Sequence, residues 1–202
     1  MITIQNLCKK FDDKVLFDDF NISIPDGEFV VFCGESGCGK TTLLNMIGCL
    51  EKPDRGSIVI DGIDIWNVKK KSELFSYKLG FLFQNFALLE SKTVVQNLEI
   101  IQKKARTDKT IEEVLEAVGL QDKIDTKVYK LSGGEQQRLA LARLMLKKCD
   151  VILADEPTGS LDEQNADRVM KILHMINEMG KTVILVTHSK KIIESERNVI
   201  RL

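Results

Sequence analysis

The sequence lacks the features that direct a chain into a membrane or onto nucleic acid. Its longest apolar runs, such as residues 29–33 and 183–186, have the length of strands, far short of the roughly 18 to 20 residues that a membrane helix needs. Residues 1–11 contain no apolar region of the signal-peptide kind. The formal net charge of −1 gives no sign of a polyanionic partner. We therefore expect a cytoplasmic chain that does not itself span a membrane and does not bind nucleic acid.

Cysteine and histidine are also scarce. The five cysteines are odd in number and form no CxxC pair, a pattern that favours reduced thiols. Of the two histidines, His174 lies inside a predicted helix, where a surface or packing role is expected, and His188 follows a predicted strand. No repeat, low-complexity tract or Pro/Gly/Ser linker divides the 202 residues. The length and composition predict one compact domain.

Apolar periodicity predicts an α/β fold. Short β-like runs occupy residues 1–7, 20–24, 28–33 and 57–60, and residues 85–130 change to helical spacing, clearest at 110–118. A helix at 135–148, a strand at 151–154, a helix at 163–179 and a strand at 182–187 follow. Strands that alternate with helices indicate a mostly parallel sheet covered on both faces. We expect a core formed by residues 1–84 and 131–202, with an antiparallel β subdomain near its N-terminus and a helical subdomain at 85–130.

The sequence GESGCGKTT at residues 34–42 follows an apolar strand and precedes a helix, the setting of a P-loop. Its three glycines allow backbone N–H groups to wrap phosphates. We assign Lys40 to the β- and γ-phosphates, Thr41 to Mg²⁺ and Thr42 to the α-phosphate side. A glycine-rich structural turn is the alternative. The residues predicted to bind nucleotide here are Gly34, Glu35, Ser36, Gly37, Cys38, Gly39, Lys40, Thr41 and Thr42.

Two adjacent acids, Asp155 and Glu156, end the apolar run 151–154. Adjacent side chains can divide their roles because the chain turns as the strand ends. We assign Asp155 to the Mg²⁺ sphere and Glu156 to polarising the attacking water. The alternative is an acid pair that only solvates a turn.

The sequence LSGGEQQR at residues 131–138 opens a predicted helix. The Ser132 hydroxyl and the N–H groups of Gly133 and Gly134, followed by Glu135, would form an anion-binding helix tip. The alternative is a serine N-cap on an ordinary helix. We call residues 132–134 the signature tip.

With the P-loop and the acid pair, LSGGEQQR resembles the signature sequence of the ABC ATPases, and the resemblance covers essentially the whole chain. It implies a P-loop NTPase core of the RecA type that hydrolyses ATP with Mg²⁺. In that family the signature tip completes the nucleotide site of a second copy, so the resemblance implies a head-to-tail dimer with ATP between Lys40 of one copy and Ser132 of the other. It also implies transmembrane permease subunits as partners, which hold the ATPase at the inner face of the cell membrane.

The resemblance extends to four further positions. Gln84 matches the Q-loop, where its amide serves the metal shell and the attacking water, and His188 matches the switch histidine at the γ-phosphate. Residues 159–162 look like the D-loop, which carries Asp162 across the dimer interface; a simple turn is the alternative. Phe11 stands where the family usually has a tyrosine that stacks on adenine, with a core phenylalanine as the alternative. Cys38, at a helix N-terminus, is a candidate for alkylation that ATP blocks, although a plain small-residue role is the simpler interpretation.

The string ADEPTGSLD and the compact helical segment look most like ATPases of the macrolide-efflux and lipoprotein-release type, including bacterial peptide and bacteriocin exporters. Glu90, Ser91 and Lys92 replace the more usual proline and apolar residues. The chain ends at Leu202, soon after His188, so we expect no C-terminal regulatory domain. The resemblance therefore implies export of a peptide, bacteriocin, antibiotic or lipophilic substrate through a separate transmembrane subunit.

Three other functions fit parts of the pattern. One is an ATPase in a membrane signalling complex that activates a cell-wall enzyme without transport. Another is a soluble ABC ATPase of DNA repair or translation, which would need long coiled coils or two cassettes in one chain. The third is an ATP-gated scaffold without turnover, against which Glu156 and His188 argue.

Overall fold

The computed structural model describes residues 1–69, 71–83 and 85–202. Nine strands and seven α-helices occur in that part of the chain. In chain order they are β1 (Ile2–Phe11), β2 (Lys14–Ile24), β3 (Phe29–Cys33), α1 (Lys40–Ile47), β4 (Arg55–Ile60), β5 (Ile63–Asp64), α2 (Lys71–Tyr77), β6 (Leu79–Leu82), α3 (Val94–Glu99), α4 (Ile111–Ala117), α5 (Gly133–Leu146), β7 (Val151–Asp155), α6 (Glu163–Glu178), β8 (Thr182–Val186), α7 (Lys190–Ser195) and β9 (Val199–Arg201).

Two sheets organise the molecule. An antiparallel sheet has the strand order β2-β1-β4-β5, and a five-stranded sheet has the order β6-β7-β8-β3-β9. Every pair in the second sheet is parallel. The carboxyl ends of β7, β8 and β3 therefore lie side by side at one edge, which is where open α/β sheets bind their ligands. The predicted α/β fold, with a parallel core and an N-terminal antiparallel sheet, is confirmed.

The parallel sheet separates two hydrophobic cores. Successive residues of its strands point to opposite faces, so Val31 and Ile152 enter one core while Phe32 and Leu153 enter the other. The first core contains α5, α6 and the apolar faces of α3 and α4. The second contains α1 and the inner face of the antiparallel sheet. Burial on both faces explains why β3, β7 and β8 are continuous apolar runs.

Residues 85–130 form short helices, as the periodicity predicts, and α4 begins at a capping box in which Thr110 and Glu113 exchange hydrogen bonds. Val94 and Val114 share a core with α5. The proposed boundaries of the helical subdomain, near 84 and 131, stay a prediction. In the described ranges, no helix is long and apolar enough to cross a membrane.

The predicted bounds of the signature helix were wrong at both ends. The helix begins at Gly133 because Ser132 and Glu135 form a capping box that starts the first turn two residues earlier. It ends at Leu146, not 148, and Lys147 adopts an extended conformation. The Lys147 ammonium donates to the carbonyls of Phe75 and Leu79. The backbone leaves the helix here because the Lys148 N–H bonds to the Ala105 carbonyl at 2.8 Å. The hairpin strands β1 and β2 are also longer than predicted, and β9 was missed.

Candidate nucleotide site

The P-loop joins the end of β3 to the start of α1 and encloses the Lys40 ammonium. Lys40 Nζ lies 3.0 Å from the Gly34 carbonyl and 2.8 Å from the Glu35 carbonyl, both of which accept its hydrogen bonds. It also lies 3.7 Å from Cys38 Sγ. The loop thus holds a positive charge at the centre of a ring of backbone groups, beside a helix N-terminus that favours anions.

Two glycines of this loop are required by close approach. Gly39 caps α1 with a φ of 102°, and a Cβ there would lie 2.9 Å from the Phe17 ring. At Gly34, φ is 151° and a Cβ would lie 2.8 Å from Cys38 Sγ. A side chain at either position would be strained by its backbone conformation and would clash with a neighbour. The loop therefore depends on glycine for its shape as well as for access to its N–H groups.

Asp155, the last residue of β7, meets Thr41, the second residue of α1. The Thr41 hydroxyl donates to Asp155 Oδ1 across 3.1 Å. Burial raises the pKa of Asp155; Glu156 acts in the same direction, whereas the Thr41 hydrogen bond and Lys40 oppose the shift. A partly buried carboxylate beside a hydroxyl, with one lysine nearby, is an oxygen-rich setting that a bound cation would stabilise.

Glu156 turns away from Asp155 toward the end of β8. Its φ of 45° is left-handed, which is uncommon for a residue with a side chain. Its carboxylate accepts a hydrogen bond from Thr187 Oγ1 at 3.1 Å and lies 2.8 Å from His188 Nδ1. Only 19% of the Glu156 side chain is exposed, against 73% for His188. The strained backbone thus separates two adjacent carboxylates, so that one faces the P-loop and the other faces the histidine.

The two histidines have different surroundings. His174 stacks on Phe29 with ring centroids 4.4 Å apart, and its Nε2 lies 2.9 Å from Glu196 Oε1. This is the packing role expected for it. Thr187 is the last residue of the strand predicted at 182–187, and its hydrogen bond to Glu156 gives it a part in the site that the sequence pattern did not indicate.

The signature tip lies at the exposed start of α5. The Ser132 hydroxyl accepts from the Glu135 N–H at 3.3 Å, and the Glu135 carboxylate accepts from the Ser132 N–H at 2.8 Å. The hydrogen bond from the Ser132 N–H to this carboxylate, and after it the one that the Ser132 hydroxyl donates across 3.0 Å, lower the pKa of Glu135. Gly133 is exposed, and its first-turn N–H has no partner within the helix. The capping-box alternative and the anion-binding tip are therefore compatible descriptions of one structure.

The D-loop residue Asp162 is the N-cap of α6. Its Oδ1 accepts from the Asn165 N–H at 2.9 Å, and its Oδ2 accepts from Asn165 Nδ2 at 2.6 Å. A second contact ties this region to α5, where the buried Gln137 side chain donates to the Pro157 carbonyl at 2.9 Å. Asn165 and Gln137 were missed in the sequence. A capping pattern, an aspartate followed three residues later by a polar side chain, could have identified Asn165.

Phe11 ends β1 beside the P-loop. It is 46% exposed, which argues against the alternative of a core phenylalanine, and Lys9 Nζ lies 4.7 Å from its ring centroid. Its hairpin partner Lys14 donates to the Gly37 carbonyl at 2.8 Å, which fixes the hairpin against the loop. Nothing in the sequence pattern marked Lys14 for this role. Gln84, predicted to serve the metal shell, lies outside the described residues.

The site residues thus form two groups. Ends of neighbouring strands bring together Lys40, Thr41, Asp155, Glu156 and His188. The signature tip belongs to α5, and in residues 1–69, 71–83 and 85–202 no hydrogen bond joins it to the P-loop. One chain therefore presents a phosphate-binding group and a separate exposed helix tip.

Comparison with known proteins identifies the family. A family model described as ABC transporter matches residues 17–159. The chain belongs to the ABC transporter family. A Bacillus subtilis ABC transporter ATP-binding protein, YvrO, is 38% identical over 93% of this chain and 87% of its own length. The Campylobacter jejuni macrolide export ATP-binding/permease protein MacB is 38% identical over 100% of this chain and 33% of its own length.

A solved ABC cassette has the same fold. The ATP-binding cassette MJ0796, in a dimeric post-hydrolysis state bound to ADP and Pi, superposes with a TM-score of 0.84 at 33% identity and covers 100% of this chain and 94% of its own. The present ABC cassette thus matches a compact ATP-binding cassette along nearly its full length. It spans a third of the MacB protein, whose name includes a permease.

Proposed function

We propose that this ABC ATPase closes over two ATP molecules as a head-to-tail dimer and that closure and hydrolysis drive a separate transmembrane subunit. The observation that carries the proposal is the convergence at one sheet edge of two pairs of groups. Thr41 and Asp155 lie 3.1 Å apart, and Glu156 and His188 lie 2.8 Å apart, on the neighbouring ends of β7, β8 and the P-loop. The first pair suits a hydrated divalent cation, and the second suits an attacking water.

The P-loop would hold the phosphates of ATP. Its backbone N–H groups and the N-terminus of α1 favour anions, and Lys40 would exchange its two carbonyl bonds for the β- and γ-phosphate oxygens. Phe11, exposed on the hairpin that Lys14 fixes to the loop, would stack on the adenine. The phosphates and the adenine of ATP would thus be bound by the P-loop and by the β1–β2 hairpin, which contact each other directly.

Thr41 and Asp155 fit Mg²⁺. Both present oxygen atoms, the ligand type that this ion prefers, and Mg²⁺ is commonly bound by one or two protein ligands together with substrate phosphates. In the described part of the chain, no group of three His, Cys, Asp or Glu side chains is arranged so that it could hold a metal ion. When bound, the ion neutralises charge on the β- and γ-phosphate oxygens.

Glu156 is the proposed general base. Its carboxylate would take a proton from the water whose oxygen attacks the γ-phosphorus, while the bond to the β,γ-bridging oxygen breaks and ADP leaves with that electron pair. Thr187 and the backbone at Val186, which accepts from the Glu156 N–H at 3.0 Å, fix the carboxylate. The Nδ1 of His188 lies against the Glu156 carboxylate. The rest of its ring is largely exposed and would contact the γ-phosphate.

The signature tip would complete the site of a second copy. It is exposed, it lies at the N-terminus of a fourteen-residue helix, and it has no hydrogen bond to the P-loop of its own chain within the described residues. The MJ0796 cassette is dimeric in its post-hydrolysis state with ADP and Pi, and the match to that cassette supports the same arrangement here. Loss of the γ-phosphate contacts would then release the two halves.

The cargo we propose is a peptide, bacteriocin, antibiotic or lipophilic compound that is exported through a permease. The support is the full-length match of this chain to the ATP-binding part of proteins named for macrolide export. Copurification with a transmembrane subunit, followed by transport of candidate compounds into inverted vesicles, tests this part separately.

Glu156→Gln tests the mechanism. Removal of the base should lower the steady-state ATPase rate by roughly 10² to 10⁴, because the water loses its proton acceptor, while the P-loop stays intact. The variant should bind MgATP as tightly as the wild type and should elute from a sizing column as a dimer when MgATP is present. Glu178→Gln, an exposed acid-to-amide change at the far end of α6, is the matched control and should behave as the wild type.

Two results would contradict the proposal. A wild-type ATPase rate in Glu156→Gln would remove Glu156 from the chemistry. A monomeric Glu156→Gln variant at saturating MgATP would instead count against the shared-site dimer.

A further inference from the structure

The side chain of Asn165 joins the D-loop to the signature helix of the same chain. Its Nδ2 donates to Asp162 Oδ2 across 2.6 Å, and its Oδ1 accepts from Arg138 Nη1 across 3.2 Å. Arg138 belongs to α5, six residues beyond the N-cap Ser132. We propose that Asn165 is a positioning residue that makes Asp162 and the signature tip move as one unit. This inference rests on the proposed function.

The contact at Gly134 fixes the amide from a third side. A Cβ at Gly134 would lie 2.9 Å from both Cγ and Oδ1 of Asn165, so the amide rests directly against the backbone of the signature tip. Gly134 is buried and Asn165 is partly buried, whereas Asp162 is exposed. The arrangement places an amide between a charged acceptor and a charged donor, and hydrogen bonds of this kind are stronger than neutral ones.

The side-chain bond is separable from ordinary helix capping. The cap bond to Asp162 comes from the backbone N–H of residue 165, which any residue except proline would supply. The bonds from Nδ2 to Asp162 and from Arg138 to Oδ1 require the two ends of an amide. The Asn165 side chain therefore carries the link from Asp162 to Arg138 of α5.

The link matters because it joins parts of two different ATP sites. The D-loop follows Glu156, which serves the ATP of its own chain, through Pro157, whose carbonyl is held by Gln137 of α5. The signature tip, under the proposed function, serves the ATP of the partner copy. Asn165 thus connects the segment after Glu156, which serves one ATP site, to the signature tip, which serves the other. It should therefore contribute to cooperativity between the two ATP sites.

The test compares Asn165→Ala and Asn165→Asp with Asn177→Ala. Asn165→Asp is nearly isosteric and keeps the acceptor for Arg138 but cannot donate to Asp162, so it guards against a folding defect in the alanine variant. Asn177 is the matched control, since it is an asparagine of the same helix whose side chain likewise makes two hydrogen bonds, both donated, to the Gly27 and Lys181 carbonyls. Steady-state ATPase rates are measured against ATP concentration, and MgATP affinity is measured on the diluted monomer by fluorescence titration.

The wild type and Asn177→Ala should show a Hill coefficient of about 2, the number of sites in the dimer. Both Asn165 variants should fall toward about 1 and lose about tenfold or more in kcat, with monomer MgATP affinity unchanged within about twofold. A purely structural role would lower the melting temperature and leave the Hill coefficient in place.

The outcomes separate the inference from the function on which it rests. If the wild type is cooperative and Asn165→Asp keeps its Hill coefficient and kcat within twofold, the inference is overturned and the dimeric ATPase stands. If the wild type hydrolyses ATP without cooperativity, and the Glu156→Gln variant forms no dimer with MgATP, the inference and the proposed dimeric function are both overturned.

Discussion

Two adjacent glycines of the signature tip should respond oppositely to alanine. A Cβ at Gly134 would lie 2.9 Å from the Asn165 side chain, whereas a Cβ at Gly133 would meet nothing within 4 Å. Both residues are helical, so alanine gains at most about 1 kcal/mol from reduced backbone entropy at either position. At Gly134 the added methyl group would overpack against Asn165, at a cost of about 1–3 kcal/mol. If Asn165 moves, the loss of its hydrogen bonds costs about 0.5–1.5 kcal/mol each.

We expect Gly134→Ala to lower the free energy of unfolding by about 1–3 kcal/mol and Gly133→Ala to leave it unchanged or slightly raised. For a chain of this size, about 2–4 °C of melting temperature corresponds to each kcal/mol. Gly134→Ala should therefore melt about 2–12 °C below Gly133→Ala. The assay is calorimetry of the nucleotide-free protein, with urea unfolding as a check on reversibility. Equal melting temperatures for the two variants would refute the reasoning, because they differ only in the contact with Asn165.

Two further predictions concern the same helix. Gln137→Met should lower the free energy of unfolding by about 1–3 kcal/mol, since it leaves the Pro157 carbonyl without its buried donor; exposed Gln164→Met is the control, and similar urea midpoints for both would contradict the prediction. The pKa of Glu135 is lowered in the fold, so its carboxylate stabilises the protein above the ordinary Glu value of about 4.3, and this contribution is lost as pH falls through the lowered pKa. The difference in unfolding free energy between wild type and Glu135→Gln should therefore shrink below about pH 4.3, and a constant difference down to pH 3 would be inconsistent with it.

Local sequence was sufficient to predict those features of the site that depend on a single strand, loop or helix. The P-loop follows from glycines between an apolar strand and a helix, and the different directions of the Asp155 and Glu156 side chains follow from their position at a strand end. Phe11 is exposed, against the alternative of a core phenylalanine, while its stacking on adenine stays a prediction. These features depend on short-range geometry and on the fact that parallel strands end at one edge.

Contacts between distant segments could not be predicted in the same way. The Lys14 bond to the Gly37 carbonyl depends on how the antiparallel sheet packs on the P-loop, and a surface-type lysine gives no sign of it. Arg138 and Asn165 lie 27 residues apart and meet only because α5 and α6 pack together. The end of the signature helix was misplaced for a similar reason, since the carbonyl that accepts from the backbone beyond the helix belongs to Ala105, in a distant segment.

The hydrogen bonds of Lys147 fix one end of α5, so a small tilt of the helix moves its opposite end. The helix has fourteen residues, and at about 1.5 Å per residue it is about 21 Å long. The far end of the helix is held by carbonyls of α2 and β6. A tilt of only about 5° about that end would displace the signature tip by about 2 Å. Displacements near 1 Å can change a rate by about 10². Under the proposed function, phosphate contact at the signature tip would therefore depend on a pivot at the opposite end of the helix.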